Sequence, residues 1–141
     1  MRAFLDTSVL VPVFYGDHVN HDSSLALFAG LNKRDACCAA HSLFEVYAVL
    51  TRMPGKHRVG PEQAMLFIGD IRERLTLVAL DSGEYADALE TCAASAITGG
   101  AAYDALIGAC ALKSRAKTLF TWNIKHYQQL GPKIAERVKT P

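Results

Sequence analysis

Ala3-Phe4-Leu5-Asp6-Thr7-Ser8-Val9-Leu10 runs from three apolar residues to one acid, two hydroxyls and a return to apolar side chains. The apolar run is strand-like, and Asp6-Thr7-Ser8 reads as its end and the capped start of a helix. Ala36-Cys37-Cys38-Ala39-Ala40 is a second short run, unbroken by polar residues, as suits a strand buried on both faces of a parallel sheet. The spacing predicts helices over 9–15, 20–31, 42–50, from Pro61 towards Leu75, through Tyr85, Leu89, Cys92 and Ala96, over 103–112, and over 122–130. Strands are expected at 75–80 and 118–121, and a polar tail closes the chain. Ser42 is read as a cap, Pro61 as a first helical residue, and Asp81-Ser82-Gly83-Glu84 as a capping box. Strand and helix alternate, which predicts a parallel sheet covered on both faces.

Length and composition narrow the class. The 141 residues fit one domain, 1–141, with no linker or repeat, and 50% are apolar against 21% charged. A net charge of +1 excludes a polycation, so contact with nucleic acid has to come from a local patch. No apolar run spans a membrane, and Asp6 interrupts the N-terminus too early for a signal peptide; a cytoplasmic protein is expected. Cys37, Cys38, Cys92 and Cys110 form no zinc spacing and read as small buried hydrophobes.

Three carboxylates stand where the chain is otherwise apolar. Asp6 is the only charged residue between Arg2 and Asp17, Glu45 the only one between Asp35 and Arg52 (His41 neutral), and Asp104 the only one between Glu90 and Lys113. A carboxylate in such surroundings costs several kcal/mol unless it is paired or metal-bound. Any one of them could be a helix-dipole partner or a buried ion-pair member. Three without a nearby Lys or Arg point to a shared divalent cation. Asp6 is expected at the carboxyl edge of the sheet, where open α/β folds bind ligands, and Glu45 and Asp104 in first turns of helices facing that edge. An all-oxygen set selects Mg²⁺ or Mn²⁺. Without metal the three acids should repel, so neutralising Asp6 should leave the fold equally stable or more so.

Four segments, Phe4-Leu5-Asp6-Thr7-Ser8-Val9-Leu10, Ser42-Leu43-Phe44-Glu45-Val46, Tyr103-Asp104-Ala105-Leu106-Ile107 and Thr121-Trp122-Asn123, resemble in order the motifs of PIN-domain ribonucleases, most closely the VapC-like toxins of toxin–antitoxin pairs. The resemblance covers essentially the whole chain. It implies a three-layer α/β/α sandwich around a parallel sheet of four or five strands. It also implies a Mg²⁺- or Mn²⁺-dependent endoribonuclease, a homodimer, and an antitoxin that blocks the site. Asp6, Glu45 and Asp104 fall on the family's first three acidic positions. Asn123 replaces the fourth acid, which reads as weaker metal binding, and Thr121 would orient the cluster through its hydroxyl.

Softer candidates surround this set. His126 reads either as a contact to substrate or to a metal-bound water, or as a partly exposed structural histidine. Arg52, Lys56 and Arg58, with His57, form a basic stretch that either holds RNA phosphates or complements a helix C-terminus. Lys113, Arg115 and Lys117 read as structural, and Trp122 as core rather than a base-stacking residue. A haloacid-dehalogenase-type phosphatase would need a second Asp where Ser8 stands, and a receiver domain would need a phosphoacceptor where Ala40-His41 stands. The remaining rival is a catalytically weak PIN-like module that binds RNA or a partner.

Overall fold

The computed structural model describes all 141 residues. Strand β1 (Ala3–Leu5) leads into α1 (Thr7–Val13) and α2 (His21–Ala29); β2 (Ala36–Ala39) leads into α3 (Ala40–Thr51), a 3₁₀ turn at Gly55–His57 and α4 (Pro61–Arg74). Strand β3 (Thr76–Val78) is followed by α5 (Ser82–Ala94) and α6 (Ala101–Ser114), then β4 (Thr118–Phe120), α7 (Ile124–Gln128), α8 (Pro132–Ala135) and β5 (Val138–Lys139). The sheet order is β3-β2-β1-β4-β5, and every pairing is parallel.

Alternating side chains of the central strands feed two cores. Ala3, Leu5, Ala36 and Cys38 pack beneath residues of α1–α4, including Val9, Leu10, Phe28, Val46, Leu50, Ile68 and Ile71. Phe4, Cys37 and Ala39 face Ile107, Cys110 and Ala111 of α6, Tyr127 of α7 and Ile134 of α8. Short apolar strands covered on both faces are what a parallel sheet requires. Gly108 sits where α8 crosses α6: a Cβ there would lie 2.8 Å from Ile134 Cδ1, so a larger residue would displace the end of that side chain. The four cysteines are free and buried, and burial pushes the Cys38 thiol up to about 12, away from the reactive thiolate.

Differences from the sequence reading are local. The expected polar tail forms α8 and the edge strand β5, whose two residues carry no periodicity to read. Helix α3 begins at Ala40, not Ser42; its N-cap is Ala39, without a side-chain cap, and Ser42 is a buried residue inside the first turn. The stripe expected to bury α5 stays largely in solvent, since Tyr85 and Leu89 are exposed and only Cys92 is buried; Leu25 of α2 is exposed as well. The capping box forms as expected, with Glu84 N donating to Asp81 Oδ1 and Asp81 N to Glu84 Oε1. No helix is long and apolar enough to cross a membrane.

The topology also locates a crevice. Successive connections carry the chain from β1 through β2 to β3, and it then returns to β4 on the other side of β1. The helix leaving β1 joins one face and the helix leaving β4 joins the other. Such a switch point opens a cleft at the carboxyl ends of the two strands. Asp6 and Thr121 are the residues that immediately follow them.

Candidate active site

Asp6 N donates to Phe120 O at 3.0 Å, which continues the pairing of β1 with β4 and sets Asp6 beside Thr121. Asp6 is only 4% exposed, and its side chain accepts from three hydroxyls. Ser8 Oγ and Thr121 Oγ1 both donate to Oδ2 at 2.8 Å, and the Tyr127 hydroxyl donates to Oδ1 at 2.6 Å. The expected helix cap is therefore absent: Asp6 occupies the N-cap position of α1, but its carboxylate is committed to hydroxyls, not to helix amides. The loop after β4 is tied to the same network, Trp122 N donating to Ser8 Oγ and Asn123 N to Thr121 Oγ1.

Glu45 lies in the second turn of α3, one turn later than the sequence suggested. Thr7 Oγ1 donates to Glu45 Oε1 at 2.9 Å and stands 2.8 Å from Ser42 Oγ, so α1 and α3 are joined directly beside Asp6. Asp104 lies in the first turn of α6, as expected. Burial, followed by the negative charge of Asp6, raises its carboxyl above the ordinary range; His126 opposes the rise and Glu45 adds to it. Neither Lys nor Arg pairs with any of the three acids. Their only basic neighbours are His41, with Nε2 3.9 Å from Glu45 Oε1, and His126, with Nδ1 3.4 Å from Asp104 Oδ2.

The donor chemistry fits a hard divalent cation: Asp104 feels the charge of both Asp6 and Glu45, and no Lys or Arg offsets it. No three acid, histidine or cysteine side chains stand close enough together to share one ion as they are, so ligation requires the carboxylates to draw inward. Glu45 and Asp104 have that freedom, with side chains 33% and 26% exposed. Asp6, fixed by three hydroxyls, does not.

The other expected residues divide. Thr121 is fully buried and holds Asp6, while Asn123 is exposed at the start of α7 with no side-chain capping bond. His126 joins the site at Asp104. Arg52, Lys56 and Arg58 do not: they follow the C-terminus of α3, seven or more residues beyond Glu45 or about 10 Å along a helix axis, and Arg58 Nε is spent on Met53 O. Lys113 is structural, donating to Glu84 and to Ala79 O, and Trp122 packs against the core with Nε1 on Ser24 Oγ. The sequence reading did not single out Ser8, Tyr127 or His41. Ser8 lay in plain view beside Asp6, whereas Tyr127 is separated from Asp6 by almost the whole chain. His41 stacks on Tyr103 with parallel rings 5.7 Å apart.

The profile of the PIN domain matches residues 3–128. The chain belongs to the PIN-domain family. Within that family it is 38% identical over 115 residues, 81% of each chain, to the ribonuclease VapC40 of Mycobacterium tuberculosis, which places it in the VapC branch. As a PIN domain it also superposes on VapC20 of the same organism, a toxin that cleaves the sarcin–ricin loop, with TM-score 0.71 at 16% identity over 88% of this chain and 92% of that one. VapBC2 of Rickettsia felis, bound to a DNA fragment from its promoter, gives TM-score 0.64 at 19% identity over 99% and 98%. These two structures establish the common fold.

Proposed function

We propose that this VapC-family chain is the toxin endoribonuclease of a toxin–antitoxin pair, hydrolysing RNA phosphodiesters with Mg²⁺ or Mn²⁺ in the cytoplasm. The observation that carries the reading is the set of three carboxylates at the β1/β4 crevice with no Lys or Arg to balance them. Asp6, Glu45 and Asp104 would hold the ion. When bound, it lowers the pKa of an attacking water and offsets charge on the phosphate. Asp6 is held in one orientation by Ser8, Thr121 and Tyr127, and so serves as the fixed ligand to which the others adjust. His126, 57% exposed and beside Asp104, would contact the RNA or a metal-bound water.

Exposed apolar surface offers two faces for the proposed partners. Phe44 forms with Leu43, Tyr47 and Met65 a groove between α3 and α4 that would suit an apolar antitoxin segment. Tyr85 and Leu89 of α5 with Tyr103 of α6 form a second patch, which a second copy of the chain would cover in a homodimer. Induced expression should arrest growth and leave RNA fragments with discrete ends, and the cognate antitoxin should reverse both. Unimpaired growth with soluble protein and intact RNA would remove the toxin reading.

Asn123 limits the metal stoichiometry. It offers a carbonyl oxygen but no formal charge. Calorimetric titration with Mn²⁺ should show one tight site in the free protein, and Asn123→Asp should add or strengthen a second. Two equally tight sites in the wild type would contradict this.

A further inference from the structure

Tyr127 belongs to none of the motifs, yet it is completely buried and its hydroxyl stands 2.6 Å from Asp6 Oδ1. The ring lies in the core on the α6–α8 side of the sheet, with Phe4, Ile107 and Ala111. A buried tyrosine hydroxyl needs a partner, and many satisfy this need with a backbone carbonyl. Here the partner is the most buried acid of the site. The bond is short and charge-assisted, the strong kind.

The three donors on Asp6 are divided unevenly. Oδ2 takes Ser8 and Thr121, which fills both of its lone pairs; Oδ1 takes only Tyr127, which leaves one. The donors also come from three places in the chain, the start of α1, the end of β4 and α7. Carboxylate rotation is thereby blocked, and a single lone pair of Asp6 remains for a cation.

We propose that Tyr127 is a positioning residue for the metal: its hydroxyl fixes Asp6 as a one-oxygen ligand through Oδ1. This rests on the divalent-metal reading above. Partners that orient ligands in this way typically contribute 10- to 100-fold to metal affinity. Tyr127→Phe keeps the ring and its packing while removing the donor.

The test is calorimetry with Mn²⁺ alone on wild type and Tyr127→Phe, alongside melting in chelator and RNA affinity measured in EDTA. The expected result is Mn²⁺ affinity about 10-fold weaker in Tyr127→Phe, with RNA affinity unchanged. Equal Mn²⁺ affinity in a folded Tyr127→Phe overturns the inference and leaves the nuclease reading intact. A wild type that binds no Mn²⁺ overturns both. The wild type alone gives a second measurement, independent of how the variant folds. Mg²⁺ withdraws electron density from Oδ1 and weakens its bond to the phenol, so it should produce a near-ultraviolet tyrosine difference spectrum. Absence of that signal at saturating Mg²⁺ also overturns the inference.

Discussion

Asp104→Asn should lower kcat/KM on RNA by about 10³-fold or more, as loss of a charged group that acts on the transition state does, while leaving the protein folded. In chelator the variant should melt above the wild type at neutral pH. Burial and the charge of Asp6 raise the Asp104 carboxyl, so the folded protein holds that proton more tightly than the unfolded chain does. Stability therefore falls as pH rises through the interval between the ordinary carboxylate range and the raised value, and the deficit persists above it. Asparagine has no such proton to lose. Its advantage should be present at pH 7 and disappear below about pH 4, where both states hold the proton. A variant that stays active, or that melts lower at neutral pH, would show Asp104 to be a structural partner of His126.

Asp6→Ala should behave in the opposite way and cost about 3 kcal/mol in chelator, since hydrogen bonds to a charged group contribute about 1.5–3 kcal/mol each. Three hydroxyls, those of Ser8, Thr121 and Tyr127, lose their common acceptor, and Thr121 and Tyr127 are fully buried. Relief of repulsion with Asp104 offsets part of the loss. For a chain of this size the remainder corresponds to a drop of roughly 10 °C in Tm. Cleavage should be lost as well. Mutual repulsion alone predicts that neutralising Asp6 is harmless or stabilising. The hydroxyl network adds a loss that repulsion leaves out, because alanine removes, along with the charge, the acceptors through which Asp6 ties β1, β4 and α7 together. Thermal unfolding of Asp6→Ala beside Asp104→Asn decides the matter, and an Asp6→Ala protein as stable as the wild type would refute it.

The legible features were those carried by local pattern. Ala36–Ala39 reads as a buried parallel strand because no polar residue interrupts it, and the Asp81/Glu84 box states its own geometry. The three acids were conspicuous because each stands alone in an apolar stretch. What could not be read depends on contacts far apart in the chain. Tyr127 meets Asp6 only because α7 folds back under α6, and nothing in Ile124–Gln128 announces it. Strand β5 exists because β4 offers an open edge to Val138 and Lys139. The basic stretch at Arg52–Arg58 looked close to Glu45 in sequence, but the helix carries it away from the crevice. The α5 stripe has helical spacing and still remains exposed, since periodicity reports an apolar face without saying what covers it.

A hard cation held by Asp6, Glu45 and Asp104 makes RNA cleavage depend on that ion. The most direct test is cleavage of a defined RNA by purified, antitoxin-free protein, followed by resolution of the products after chelation and metal add-back. Cleavage should be absent in EDTA and restored by Mg²⁺ or Mn²⁺ but not by Zn²⁺. Cleavage that persists in EDTA, or that only Zn²⁺ restores, would contradict the hard-cation site.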